Sequence, residues 1–204
     1  DPRIKNVLAE GNSVTQYLNS YSSMLQTAIQ QLSAENLEKV LVCLEKTIER
    51  QARIYVAGNG GSAAIADHLC CDWTKGVHIP DRPGLRVHSL IANTPVFTAL
   101  ANDFSWGEAF SKQVEMFCDA SDVLILISSS GNSENIIQAA LAAKKKKILV
   151  IGLSGFDGGK LKNLSDISLH IPVNNYGIVE DAHQMTMHVL AQYLAKTRDV
   201  SFKL

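Results

Sequence analysis

The chain has 204 residues, of which 46% are hydrophobic and 19% charged, and its formal net charge is -1. That length suits one α/β domain with a sizeable core and is short for two, while the balanced charge disfavours nucleic acid or an anionic membrane surface as a partner. The longest apolar runs, Val123 to Ile127 and Ile148 to Ile151, fall far below the roughly 20 residues of a membrane-spanning helix, so a small polar ligand or a protein partner is the expectation.

From Ile4 to about Leu32, apolar residues including Val7, Leu8, Val14, Leu18, Leu25 and Leu32 recur at three- and four-residue steps, predicting a long amphipathic helix of the kind that packs on a partner subunit. Its first residues, Asp1, Pro2, Arg3 and Ile4, carry no basic-then-apolar leader, which predicts a cytoplasmic protein. Ser33 caps a second helix running to about Gln51. After Arg53 the pattern changes to short apolar runs ending in Gly, Ser or Asn: Ile54 to Ala57, Leu85 to Ile91, Val123 to Ile127, Ile148 to Leu153 and Ile167 to Ile171. These read as buried parallel strands. Helical stretches begin between them near Ser62, Thr94, Trp106, Ser133 and Gly159, and a last helix spans about Ile178 to Lys196. The alternation predicts a five-stranded, doubly wound, flavodoxin-like parallel sheet, with residues 1–51 as N-terminal helices and 52–204 as the sheet core of one domain. Cys43, Cys70, Cys71 and Cys118 lack C-x-x-C spacing and read as reduced, packed thiols.

In an open parallel sheet, ligands bind beyond the carboxyl ends of the strands, where helix N-termini favour anions. Two loops fit that position. Gly58, Asn59, Gly60, Gly61 and Ser62 join a strand to a helix, with glycines that let backbone N–H groups turn toward a ligand and a hydroxyl at the helix start. The spacing matches neither a Walker A loop nor a G-x-G-x-x-G turn, so no nucleotide cofactor is expected. The second loop, Ser128, Ser129, Ser130, Gly131, Asn132 and Ser133, gathers four hydroxyls where a cap needs one, which favours a phosphate monoester held by neutral donors and a helix dipole.

These loops, with Ala99 to Asp103 between them and Ile151 to Gly159 after the second, resemble the sugar isomerase domain and within it the phosphoheptose isomerase family, over nearly the whole chain. The resemblance implies a homotetramer with active sites built from neighbouring subunits, a pocket for a phosphorylated sugar lined by Ser62, Ser128, Ser129, Ser130 and Ser133, and sugar contacts from Asn102 and Asp103. It implies an active centre at His68, Asp72, Glu180 and His188, where some family members bind zinc, and a place in lipopolysaccharide heptose synthesis.

Moving a carbonyl between adjacent carbons needs a base for a carbon-bound proton and an acid or Lewis acid for the enediolate oxygen. His68 and Asp72 stand at i and i+4 on the helix behind the glycine loop, and Glu180 and His188 lie on the last helix about 80° apart around its axis. The expectation is Asp72 as base and His188 as acid, with His68 orienting or ligating; with zinc present, Asp72 and Glu180 become ligands and the base is reassigned. His183 reads as a packed, hydrogen-bonded core residue. The chain departs from the family pattern where Asp72 replaces a glutamate, Glu180 a glutamine, Gly76 an arginine and Gly177 an aspartate. Competing readings are a non-catalytic phosphosugar-binding regulator, an adaptor like the bacterial replication-initiator-associating protein, and an isomerase of another ketose phosphate. Turnover of sedoheptulose 7-phosphate, against binding without turnover, separates the first two from an enzyme.

Overall fold

The computed structural model describes residues 7–198. In chain order the elements are α1 (Val14–Ile29), α2 (Ala34–Glu49), β1 (Arg53–Gly58), α3 (Gly61–Lys75), β2 (Arg86–Ser89), α4 (Thr94–Asp103), α5 (Ala109–Phe117), β3 (Val123–Ser128), α6 (Glu134–Lys145), β4 (Leu149–Ser154), α7 (Gly159–Leu164), β5 (Ile167–His170) and α8 (Tyr176–Thr197). All neighbouring strands pair in parallel, in the order β2-β1-β3-β4-β5, which is the expected flavodoxin-like order.

Both faces of the sheet are covered, and the strand residues divide between them with a period of two. Val123, Ile125 and Ile127 of β3 join Val40 and Leu44 of α2, Leu69 and Trp73 of α3, and Leu190 and Leu194 of α8 in one apolar cluster. Leu124 and Leu126 join Phe97 of α4, Phe110 of α5, Ile136 and Ala140 of α6, and Leu161 of α7 in the other. Every residue of β3 is buried, which is why that strand reads as an unbroken apolar run instead of an alternating one.

The N-terminal helix starts later than its periodicity predicts. Ser13 takes an extended conformation and its hydroxyl accepts the Gln16 amide, capping α1 at Val14, because Gly11, Asn12 and Ser13 form a start signal that the run of apolar residues passes straight through. Val7 and Leu8 are exposed outside the helix, and the Val7 backbone instead pairs with Asn174 and with the Asn175 side chain. Ile4, at the start of the predicted helix, lies outside the described residues. Helix α8, at 22 residues, is longer than α1, at 16. No helix among the described residues is long and apolar enough to cross a membrane. The cysteines are free, with Cys43 and Cys118 buried as expected and Cys71 exposed on the outer face of α3.

Candidate active site

The sheet order reverses between β1 and β3, so the loop after β1 and the loop after β3 lie side by side at the topological switch point, Gly58 being in register with Ile127. The chain leaves β1 into α3 on one face and β3 into α6 on the other, and both helices direct their N-termini at the crevice. Gly60 has φ +54°, a left-handed conformation that a side chain would strain. A Cβ on Gly131, at φ +63°, would strike the Gly158 carbonyl, so the serine loop packs backbone to backbone on the turn before α7. The Asn132 side-chain carbonyl accepts the Lys160 amide at 3.1 Å and the Gly131 carbonyl accepts the Leu161 amide at 2.9 Å, holding that turn in place.

Helices α1, α2, α4 and α8 are each closed by a capping side chain, from Ser13, Ser33, Asn93 and Asn175. Helices α3 and α6 are not, and neither are α5 and α7. Ser133 occupies the N-cap of α6, but its hydroxyl pairs with that of Ser128 at 3.2 Å. No capping side chain takes the first amides of α3 or the Glu134 and Asn135 amides of α6, while the Ile136 amide donates to Asn135 Oδ1 at 3.0 Å. Ser62, Ser128 and Ser129 are buried, and the Ser129 hydroxyl has no hydrogen-bond partner. Ser130 accepts the Asn132 amide at 3.3 Å.

Asn59 and Asn135 exchange reciprocal amide hydrogen bonds of 2.8 and 2.9 Å, so the Asn59 side chain ties the glycine loop to the first turn of α6 instead of pointing freely into the crevice. Asn135 was not among the sequence candidates; its position directly after the serine loop was the available signal. Asn102 and Asp103 are exposed at the end of α4 and hydrogen-bond each other at 2.9 Å. The α4–α5 turn reaches α6, with Gly107 packed against Glu134.

Deeper along α3, Trp73 is buried and its indole donates to the Met187 carbonyl at 3.1 Å, clamping α3 to α8. That contact sets Asp72, also buried, opposite His188. One carboxylate oxygen, Asp72 Oδ2, lies 3.4 Å from His68 Nε2 and 3.3 Å from His188 Nε2, and the two imidazoles meet edge to face with centroids 5.0 Å apart. A fourth side chain, Gln184, places its amide 3.0 Å from His68 Nδ1 and 3.2 Å from His188 Nε2. Sequence reasoning passed over Gln184, although it stands one turn before His188 on the same helix face.

His68, Asp72 and His188 present ligand atoms within 4.8 Å of one another. Zinc holds such ligands at about 2.0–2.1 Å, which puts neighbouring ligand atoms of a tetrahedral site about 3.3 Å apart, so the 3.3 and 3.4 Å separations around Asp72 fit a zinc ion. Glu180, expected as a fourth ligand, stands outside this group. Eight residues of helix are about 12 Å of rise, which carries it to the other end of α3. There its carboxylate lies over Gly61, where a Cβ would overlap it. Burial, and then the neighbouring Asp181, push the Glu180 carboxyl above its usual range.

His183 is packed as expected, 1% exposed, but neither ring nitrogen has a hydrogen-bond partner. Burial holds it neutral, lowering its pKa to about 4; the Ser154 backbone pulls weakly the other way without reaching hydrogen-bonding geometry.

The SIS domain family model matches residues 16–155. A phosphoheptose isomerase of Helicobacter pylori is 36% identical over 177 residues, covering 87% of this chain and 91% of that protein. The solved phosphoheptose isomerase of Neisseria gonorrhoeae superposes with a TM-score of 0.81 at 30% identity, covering 90% of this chain and 97% of that one. That of Francisella tularensis superposes with a TM-score of 0.80 at 27% identity, covering 90% and 96%.

Proposed function

The chain belongs to the SIS domain family, within it to the phosphoheptose isomerases, and from that premise we propose that this phosphosugar isomerase interconverts sedoheptulose 7-phosphate and the matching heptose 7-phosphate aldose through an enediol. The observation that carries the proposal is Asp72, on the helix that opens at the glycine loop, with its buried carboxylate 3.4 Å from His68 of the same helix and 3.3 Å from His188 of α8.

In this reading the phosphate rests on the uncapped N-termini of α3 and α6, among the hydroxyls of Ser62, Ser128, Ser129, Ser130 and Ser133 and the amides of Gly60 and Gly61. Asn102 and Asp103 reach the sugar, and the carbon chain extends toward Asp72 and His188. Asp72 takes the proton from the carbon beside the carbonyl and returns it to the neighbouring carbon; His188 donates to and recovers a proton from the oxygens as the double bond shifts. Two imidazoles and one carboxylate suit zinc, which when bound supplies a Lewis acid for the carbonyl oxygen. His68, Asp72 and His188 would hold it, and proton abstraction would then fall to another carboxylate. Glu180 on α8 is the candidate, its carboxyl held above the usual range by burial first and then by Asp181.

Apolar side chains exposed on α1 (Val14, Leu18) and on α8 (Met185, Val189, Tyr193) support a homotetramer assembled through these helices, and four free thiols fit a reducing cytoplasm. Lipopolysaccharide heptose synthesis is the pathway such an isomerase would serve.

The test is turnover of sedoheptulose 7-phosphate by the purified protein, with and without zinc, alongside Asp72→Asn and His188→Ala. Each substitution is expected to lower isomer formation and solvent proton exchange by about 10²–10⁴-fold. Undiminished exchange in both variants would refute the assignment, and tight binding without turnover by the unmodified protein would favour a regulator.

A further inference from the structure

Asp72, His68, Gln184 and His188 close a ring of contacts of 3.4, 3.0, 3.2 and 3.3 Å. The protons in that ring are constrained. An ionised carboxylate only accepts, so Asp72 draws a proton to His68 Nε2, which leaves His68 Nδ1 bare to accept from the Gln184 amide nitrogen. At His188 Nε2 the demands conflict: Asp72 asks for a proton there, while an amide N–H from Gln184 asks for a lone pair. A cation among the three donors removes the conflict. Both Nε2 lone pairs and the carboxylate then face the ion, and the His68 proton moves to Nδ1, where it needs an acceptor. A half-turn of the Gln184 amide supplies one, its oxygen taking the place of its nitrogen 3.0 Å from Nδ1.

We propose that Gln184 is the positioning residue for the metal site: its amide oxygen accepts the His68 Nδ1 proton and so holds His68 in the tautomer that turns Nε2 toward the ion beside Asp72. Glutamine suits this place because one side chain serves both tautomers of His68, donating in one state and accepting in the other. The inference rests on the reading of His68, Asp72 and His188 as a metal set, and it is independent of which sugar is turned over.

The experiment titrates zinc into the metal-stripped full-length protein against a chromophoric chelator, and records the visible spectrum of the Co2+ form, for the unmodified chain, Gln184→Met and Gln184→Glu. Methionine keeps the length and loses the hydrogen bond; glutamate keeps the acceptor. Gln184→Met is expected to weaken zinc binding by about 10–100-fold, and Gln184→Glu to bind at least as tightly as the unmodified chain. The Co2+ band envelope should be the same in all three. Equal zinc affinity in Gln184→Met, or equal weakening in both variants, overturns the proposal. A Co2+ spectrum that changes coordination class in Gln184→Met also overturns it, by making Gln184 a ligand. Absence of zinc and Co2+ uptake by the unmodified protein sinks the metal reading itself.

Discussion

His183 should make this protein acid-sensitive. Its imidazole is buried against the C-terminal end of β4 with no partner for either nitrogen, and desolvation lowers its pKa from 6.5 to about 4. The unfolded chain binds a proton there as pH falls below about 6.5, whereas the folded chain binds it only near pH 4, so unfolding is favoured progressively through that window. Above it the imidazole is neutral in both states and contributes no slope. A gap of about 2.5 pH units at about 1.4 kcal/mol each amounts to roughly 3 kcal/mol, a large share of the 5–15 kcal/mol typical of a domain (approximately, by general experience of domain stabilities). The assay is urea unfolding followed by fluorescence of the buried Trp73, at fixed protein concentration, across that window. His183→Leu replaces the imidazole with a group that cannot titrate. Relative to the unmodified protein it should gain stability by about 2–3 kcal/mol between the neutral and acid ends, whatever its offset at neutral pH. Parallel stability curves for the two proteins would refute the reasoning.

Two further outcomes follow from the loops. Ser133 sits at an N-cap without capping, so Ser133→Ala should change thermal stability far less than the ~1 kcal/mol of a lost cap while weakening sugar-phosphate affinity about tenfold or more, as for a hydrogen bond to a charged group; calorimetric melting and binding of sedoheptulose 7-phosphate check the pair. Gly131→Ala combines a positive φ with a Cβ aimed at the Gly158 carbonyl and should cost about 2 kcal/mol or more, read as a lowered melting midpoint with a raised KM.

The sheet was legible because parallel strands buried on both faces must be apolar throughout: β1, β3 and β4 stand out as short runs ending in a glycine or serine, within a residue of where they lie. The edge strand β2 is shorter than its apolar run, Arg86–Ser89 against Leu85 to Ile91. Periodicity alone misplaced the start of α1, since Val7 and Leu8 keep the spacing on the far side of the Ser13 cap, whereas the Ser33 cap and the starts at Thr94 and Gly159 lie where they were expected. The place of the glycine and serine loops at the switch point could be read because each is one contiguous stretch directly after a strand. The active centre was harder: it depends on how α3 crosses α8, fixed by the Trp73–Met187 contact between residues remote in sequence. Angle around the helix axis brought Glu180 and His188 together on paper, and the rise along it separates them.

Asp72 and Glu180 stand where the family resemblance implies glutamate and glutamine. A carboxylate one methylene shorter than glutamate is expected to withdraw by roughly 1.5 Å at fixed backbone, yet Asp72 lies 3.3–3.4 Å from both imidazoles, on a helix that the Trp73 indole ties to Met187 of α8. A second carboxylate beside the ion would hold it more firmly and blunt it as a Lewis acid. Glu180 does neither, since its carboxylate lies over Gly61 at the start of α3. The donors gathered around Asp72 therefore remain two imidazoles and one carboxylate, a set that would leave a bound divalent ion net positive toward a carbonyl oxygen. The second carboxylate meanwhile stands over Gly61 at the start of α3, where desolvation first, and then Asp181, hold its carboxyl above the usual range.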